Sequence, residues 1–186
     1  MFILRETLEA VFNAIVEDEK IMKIMNLPTV YKNDEEDIKE KKIKQVIEKA
    51  ITFSSENPFV LANKNNEFPK VKIGNETYSE YGKIRMTICN LQGDNLGSSI
   101  FGRPKFEINI YHLGTDSKKA LEIIGRLTTK FSGRKLDVHW EDDNGYKHIS
   151  PTELNCIGAI TQVPNINFYE KSGVRFNYYT SYYSSY

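Results

Sequence analysis

Four residues with titratable side chains alternate along one short segment: Asp137, His139, Glu141 and Asp143. Carboxylates and imidazoles bind divalent cations and transfer protons, so these residues are a candidate for metal or acid-base chemistry. A period of two is also typical of the solvent-facing side of a strand. Since a metal or catalytic site needs groups from several elements, and no second cluster is spaced to provide them, we interpret the four residues as an exposed strand face. A divalent-metal hydrolase remains an alternative.

Other reactive residue types stand alone. His112 and His148 fall in or next to predicted strands, where a packing or surface role is the simpler interpretation. Cys89 and Cys156 each lie inside a predicted strand, and neither has metal-type spacing or the neighbours that activate a thiol. We interpret both as small buried side chains. The sequence therefore favours a protein that is not an enzyme, with no cofactor and no bound metal.

A glycine-containing segment at residues 93–103, GDNLGSSIFGR, is not a phosphate-binding loop. It lacks the terminal Gly-Lys-Ser/Thr of that motif, and a strand rather than a helix follows it. A strand is also predicted before it, at residues 83–91. We therefore expect a long hairpin loop between two antiparallel strands.

The bulk composition is that of an ordinary globular domain. The chain has 186 residues, 40% of them hydrophobic, which is enough to bury one core. The 25 basic and 25 acidic side chains cancel, so there is no overall charge to attract nucleic acid. No apolar run approaches the roughly 20 residues that span a bilayer, and the N-terminus does not read as a signal peptide. We expect a protein made in a cytoplasm and no contact with a membrane.

The centre of the fold is predicted at residues 104–138, as strand, helix and strand. Residues 106–111 alternate between apolar and polar types, so one face of the first strand is expected in the core. Ser117 is expected to cap the helix, and Ser132-Gly133 to end it. A second alternating strand follows at residues 136–140. The apolar side of the helix is expected to hold Ala120, Leu121, Ile124, Leu127 and Phe131.

The segments before this centre are predicted to be helical and then extended. Residues 2–25 have a helical rhythm that is broken near Asp18. Acidic residues followed by lysines predict a second helix, in an insertion at about 34–54. An extended arm with short strands is predicted at about 54–82. We expect one domain, residues 1–186, that contains both features.

The segments after the centre are predicted to be strands. Asp143-Asn144-Gly145 predicts a type I′ hairpin turn. Ser150-Pro151 is expected to stop the returning strand, and residues 155–163 and 174–186 to form two more. The sequence thus predicts an α+β fold: a mixed, mainly antiparallel sheet covered by an N-terminal helix and by a helix after the central hairpin.

Three runs resemble phage tail terminator, or tail-completion, proteins of the neck. FEINIYHLGTDSKKALEIIGRLTTKFSGRKL is similar to their strand and covering helix. RFNYYTSYYSSY is similar to their last strand, and LRETLEAVFNAIVEDEKI to their first helix. The predicted insertion and arm are longer than the compact form of that family.

This resemblance implies a structural protein of a virion or phage-tail-like particle. Such proteins form a ring, commonly a hexamer, that caps the tail tube, ends the polymerisation of tube and sheath, and joins the tail to the neck. The implied partners are other copies of the chain, the tube protein, the sheath protein and the head connector, with DNA only passing through the lumen. Assembly would take place in the host cytoplasm.

The resemblance also directs attention to particular contact residues in the loop, the arm and the aromatic end. Positive charge facing a lumen would come from Arg85, Arg103 and Lys105. The candidate contacts with neighbouring copies or the tube are Asn95, Leu96, Ile100, Phe101, Arg103, Phe59, Tyr78, Tyr81, Tyr179, Tyr182 and Tyr183.

Two further functional hypotheses are compatible with the sequence. A head–tail adaptor, or stopper, would bind the portal side rather than the tube. A general binding module would recruit a partner through an exposed strand edge. Neither requires a catalytic residue.

Overall fold

The structure is a computed structural model that describes residues 3–49, 51–53, 70–73, 76–79, 84–91, 105–113, 116–164 and 169–180. The helices in these ranges are α1 (Ile3–Val16), α2 (Glu19–Ile24), α3 (Glu36–Lys49) and α4 (Ser117–Phe131). The strands are β1 (Ile51–Thr52), β2 (Lys70–Ile73), β3 (Glu76–Ser79), β4 (Arg85–Leu91), β5 (Lys105–Leu113), β6 (Arg134–Glu141), β7 (Lys147–Pro164) and β8 (Tyr169–Thr180).

Six strands form one sheet in the order β1-β4-β5-β8-β7-β6. β1 pairs with β4 in parallel, and the other neighbours are antiparallel. α1 packs against β6, at one edge of the sheet, and against β4, next to the other edge. α4 packs on β5 and β8, which lie between those two strands. The predicted α+β fold with a mixed, mainly antiparallel sheet is confirmed.

The N-terminal helical segment is broken at Asp18, as the sequence predicts. The Asp18 carboxylate accepts hydrogen bonds from the backbone N–H groups of Lys20 and Ile21, and so caps the start of α2. α1 turns Val11 and Ile15 fully into the core. The break thus redirects the chain while both helices keep their apolar sides buried.

Strand β5 is buried on both faces, whereas its alternation predicts a half-buried strand with one face in the core. Phe106 and Ile110 lie on the core face, but Glu107 and Asn109 on the other face are also buried. Alternation predicts which side chains share a face, not whether water reaches that face. β5 lies between β4 and β8 in the sheet, and the Glu107 carboxylate pairs with Arg175 of β8.

Helix α4 lies across the sheet as predicted, and four of the five apolar residues expected on its buried side are buried. Leu121 is 53% exposed, and Ile123 is fully buried instead. Phe131 at the end of the helix meets the ring of Phe176 edge-on at 5.9 Å, and Phe176 stacks on Phe106 at 5.2 Å. These three rings join α4 to β5 and β8.

The ends of α4 differ in how well they match the sequence. Asp116, not Ser117, occupies the N-cap position, and it makes no side-chain capping bond. At the other end Gly133 has a φ of +66°, a conformation that glycine adopts without strain, and its N–H donates to the Leu154 carbonyl. The predicted stop at Ser132-Gly133 is therefore confirmed.

The turn between β6 and β7 is a hairpin, but it is not of type I′. The Asp142 N–H donates to the Tyr146 carbonyl, so the loop contains residues 143–145. Only Gly145, with a φ of +82°, has positive φ, whereas type I′ requires it at Asn144 as well. A donation from Gly145 N–H to Asp142 O closes the turn, as in three-residue hairpins.

Strand β7 runs without a break through Ser150-Pro151, where the sequence predicts a stop. The described pairing of β7 with β8 begins at Thr152, opposite Thr180, so the proline lies just before that ladder starts. Proline is tolerated where no ladder hydrogen bond is required of its nitrogen. The last strand also begins earlier than predicted, at Tyr169 rather than at residue 174.

The predicted insertion and arm are found in part. α3 forms within the insertion, but Ile51 and Thr52 at its end pair with β4 and belong to the main sheet rather than to a helix. β2 and β3 form a separate two-stranded hairpin in the arm. None of the helices in the described ranges is both long and apolar enough to cross a membrane.

Candidate functional site

Most of the predicted contact residues lie outside the described part of the chain. Tyr78 is in β3, opposite Val71, and Tyr179 is in β8, opposite Glu153. Of the predicted lumen-facing residues, Arg85 and Lys105 are described. The predicted residues that lie outside the described ranges are Phe59, Tyr81, Asn95, Leu96, Ile100, Phe101, Arg103, Tyr182 and Tyr183.

Arg85 and Lys105 lie on the same face of the sheet. Arg85 is paired with Tyr111, which is six residues from Lys105 on β5, and residues an even number apart share a face. They are therefore about 20 Å apart, at opposite ends of this face. Both are half-buried. The two cations are therefore too far apart to contact one ligand group.

Between these cations the same face carries a buried polar cluster, which the sequence did not predict. Glu107 Oε2 lies 2.6 Å from Nε of Arg175 on β8. Cys89 Sγ donates to the Glu107 carbonyl at 3.6 Å and accepts from Asn109 Nδ2 at 3.7 Å. The Asn109 side-chain oxygen, buried in a residue only 1% exposed, has no hydrogen-bond donor within the described ranges.

The environment of Tyr111 indicates how dry this face is. Burial raises the pKa of the Tyr111 phenol, and the neighbouring Thr87 hydroxyl offsets part of that rise. A phenol of this kind is a neutral hydrogen-bonding group at physiological pH. The Tyr111 phenol and the Glu107–Arg175 pair can therefore help to hold β4, β5 and β8 in register. A role in proton transfer would instead require that a substrate can reach these groups.

The four alternating residues on β6 and its turn do not converge. Asp137, His139, Glu141 and Asp143 are all exposed, on the outward side of an edge strand. Across the described ranges, no group of three or more His, Cys, Asp or Glu side chains is placed to hold a metal ion. The geometry agrees with the interpretation of this segment as a solvated strand face.

An acid–imidazole contact does exist nearby, between residues that the sequence did not pair. Asp142 Oδ2 lies 3.0 Å from Nε2 of His148, and the His148 ring stacks on Trp140 at 4.4 Å. The His148 hydrogen bond, followed by the Tyr146 N–H, lowers the pKa of Asp142. Trp140 in turn donates to the Ser150 hydroxyl at 2.8 Å. Because each group serves the turn or the strand pair, the arrangement is structural.

The structure places the histidine and cysteine side chains that the sequence singles out at different depths. His112 is fully buried, which agrees with a packing role. Cys89 is buried in β4, while Cys156 in β7 is half-buried, and both are free thiols. The register of β4 against β5 reveals the polar role of Cys89, which the chain order alone does not indicate.

No protein-family model matches this chain, and no curated protein matches its sequence.

Proposed function

We propose that this chain is a structural protein of a phage tail or phage-tail-like particle, and that it forms a ring at the end of the tail tube. In this role it ends the polymerisation of the tube, and of the sheath where one exists, and joins the tail to the neck. The ring would be a homo-oligomer, with six copies as the expected number. Its partners would be the tube protein on one side and the neck connector on the other.

The observation that supports this proposal is the order and packing of the elements. A helix at the N-terminal end packs on the sheet, the hairpin of β4 and β5 leads into α4 across the sheet, and the hairpin of β6 and β7 leads into β8. This is the order for which the sequence resembles tail terminators. A ring also needs no catalytic group, only self-complementary surfaces that close by rotation.

The basic residues on the sheet suit a second requirement of such a ring. Arg85 and Lys105 are half-buried at the two ends of one face. In the proposed ring they would add positive charge to the lumen through which DNA passes, and such charge acts on phosphates without reading sequence. The contact with DNA would be transient.

Native mass spectrometry of the recombinant chain, alone and mixed with the tube protein of the same particle, tests this function. We expect a closed oligomer, alone or once tube protein is added. A strict monomer in both conditions contradicts the proposal. Binding to portal-side proteins without binding to the tube would assign the chain to the head–tail adaptors instead.

The aromatic end offers a sharper test with a matched control. Tyr182→Ser together with Tyr183→Ser removes two predicted contact residues, and we expect it to lower the yield of closed oligomer. Tyr146→Ser removes an exposed tyrosine that lies just before β7 and is not a predicted contact. The control variant should form the oligomer in the same yield as the unaltered chain.

A further inference from the structure

Strand β6 forms one edge of the six-stranded sheet, and β7 is its single neighbour among the described strands. A free edge presents a row of backbone N–H and C=O groups that can accept another strand. Many proteins protect such an edge with a proline, a bulge or a covering element. β6 has eight residues, no proline and a regular register with β7, so its free edge is long enough for strand addition.

The pairing with β7 determines which backbone groups of β6 point to the free edge. At the end of this ladder the Asp142 N–H donates to the Tyr146 carbonyl, so hydrogen-bonded pairs recur at every second residue from there. Pro151, which has no N–H, accordingly lies opposite Asp137, at a position between bonded pairs. The N–H and C=O groups of the odd-numbered residues from 135 to 141 therefore point away from β7.

These edge-facing residues also carry polar, ionisable side chains on the outward face of the strand. They are Lys135, Asp137, His139 and Glu141, and all four are exposed. Within the described ranges, none of the four side chains takes part in a hydrogen bond or an ion pair. Cationic or imidazole groups thus alternate with carboxylates along the edge. Such a pattern disfavours most added strands and favours one with complementary charges.

We propose that the free edge of β6 pairs with β6 of a second copy of the chain, antiparallel about a twofold axis at Val138. In this register Lys135 lies opposite Glu141 of the second copy, and Asp137 lies opposite its His139. Opposed edge-facing residues exchange two backbone hydrogen bonds, roughly eight in all. Each copy supplies both halves of every contact, as a twofold interface requires.

The charge pattern selects this register over its neighbours. Only registers that oppose odd-numbered residues satisfy the free backbone groups of both copies. A shift by two residues in one direction places Asp137 opposite Asp137 of the second copy, and the reverse shift places it opposite Glu141. Like charges in direct opposition destabilise a strand pair. With the axis at Val138, each opposed pair instead joins a carboxylate to a lysine or an imidazole.

The groups around the edge extend the same complementarity. On the inner face of β6, Leu136 would lie opposite Trp140 of the second copy. Both side chains are half-buried in the single chain, so the pairing would cover apolar surface. On β7, Glu153 lies opposite Lys135, and the sign of charge would therefore go on alternating from one copy into the other.

This pair is independent of the proposed ring, because a twofold contact joins two copies whereas a cyclic ring closes through head-to-tail contacts. One pair of eight-residue strands is a small interface compared with the roughly 1,200 Å² that standard stable interfaces bury. We therefore expect a dimer whose population rises with protein concentration. Sedimentation analysis of the full chain from low micromolar to near-millimolar concentration measures its dissociation constant.

Amide hydrogen exchange followed by NMR locates the contact. We expect the N–H groups of the four edge-facing residues to become protected as the protein concentration rises. The N–H of Val138, which points to β7, should be protected at every concentration. A dimer that forms without protecting the edge-facing groups overturns the proposal.

Charge reversal tests the register. Lys135→Glu and Glu141→Lys each place like charges at two contacts of a homodimer, and we expect each to raise the dissociation constant about tenfold or more. An equimolar mixture of the two variants should form a heterodimer, and the double variant should recover the homodimer. Lys41→Glu, at an exposed position of α3, makes the same charge change elsewhere and should leave the dissociation constant unchanged.

Far-UV circular dichroism of each variant checks that the fold persists. The proposal is overturned if the unaltered chain stays monomeric at near-millimolar concentration, if the single charge variants dimerise as the unaltered chain does, or if their mixture gives no heterodimer. Ring formation with tube protein is measured on the same variants. Pairing through β6 without a ring contradicts only the proposed function, and a ring without this pairing contradicts only the present proposal.

Discussion

Asp18 joins two separate stabilising roles in one carboxylate. It caps α2, and its oxygens contact two cations of α4: Arg126 Nε at 2.5 Å and Lys130 Nζ at 3.4 Å. The side chain is 3% exposed, so its charge depends on these partners. It therefore ties the N-terminal helices to the helix that covers the sheet, across more than 100 residues of chain.

We expect Asp18→Ala to lower the free energy of unfolding by about 2–3 kcal/mol, because it removes the cap of α2 and leaves both cations of α4 without their carboxylate. Urea unfolding followed by circular dichroism measures this loss. Asp143→Ala, in the exposed hairpin loop, is the control and should change stability by less than about 0.5 kcal/mol. Equal effects of the two variants would show that the Asp18 contacts contribute nothing.

The same carboxylate predicts a pH dependence. Burial would raise the pKa of Asp18, but the hydrogen bonds from Arg126 and Ile21 and the charge of Lys130 outweigh it and lower that pKa. Its stabilising effect is thus complete above the ordinary aspartate range and is lost as pH falls through the lowered folded-state value. We expect the stability difference between the unaltered chain and Asp18→Asn to stay constant from about pH 7 to 5 and to shrink below about pH 4. A difference that is independent of pH in acid would contradict this role.

Replacing Gly145 and Gly125 by alanine should change the stability of the chain in opposite directions. Gly145 has a φ of +82°, so Gly145→Ala should destabilise the chain by about 1 kcal/mol. Gly125 is exposed within α4, and a Cβ there would meet no atom within 4 Å. Gly125→Ala should stabilise the chain by up to about 1 kcal/mol. Thermal unfolding of both variants should give shifts of opposite direction, and shifts of the same sign would contradict the assigned turn.

At the scale of elements, α4 shows what a sequence pattern predicts and what it leaves open. Ile123 is three residues after Ala120 and four before Leu127, so it borders the buried stripe on one side. Leu121 lies at the margin of that stripe, where only contact with the sheet decides burial. The helix and its C-terminal end could thus be predicted, whereas the burial of the marginal side chain depends on the sheet that packs against the helix.

The strands also contain features that the sequence pattern predicts and features that it does not. The pairing of β4 with β5 follows from their alternation and the glycine loop between them, and it was predicted. The buried cluster of Glu107, Asn109 and Cys89 could not be predicted, because Cys89 lies 18 and 20 residues before the other two and meets them only through the register of β4 against β5. The predicted end of the strand at Pro151 is wrong for a related reason. The free-energy cost of a proline in a strand depends on whether its missing N–H is needed for pairing, and here that depends on where β8 begins to pair with β7, which is a tertiary property.

The contrast between Phe131 and Leu121 on α4 gives a direct prediction. Phe131→Ala removes a buried ring that packs on Phe176, and we expect a loss of about 3–5 kcal/mol. Leu121→Ala on the same helix removes an exposed side chain and should cost less than about 0.5 kcal/mol. Chemical denaturation compares the two. A large loss of stability from Leu121→Ala would show that Leu121 is buried, as the sequence predicts.

At the scale of the whole molecule, α1 determines whether the chain behaves as one unit. It contacts β6 at one edge of the sheet and β4 near the other, while α4 covers the strands between them. Phe12 of α1 also meets Phe53, just after β1, with ring centres 5.5 Å apart. A helix that contacts strands near both edges of a sheet couples the unfolding of the two edges, because the apolar side chains of each edge lose their buried contacts when the helix is lost.

We therefore expect Ile15→Ala, which removes a fully buried side chain of α1, to cost about 2–4 kcal/mol and to shift every probe of unfolding together. Trp140 is the single tryptophan and reports on the edge strand β6, while far-UV circular dichroism reports largely on the helices. Coincident midpoints in the unaltered chain and in the variant agree with one domain. If the Trp140 transition separates from the helical one, the edge hairpin of β6 and β7 unfolds independently of the helices.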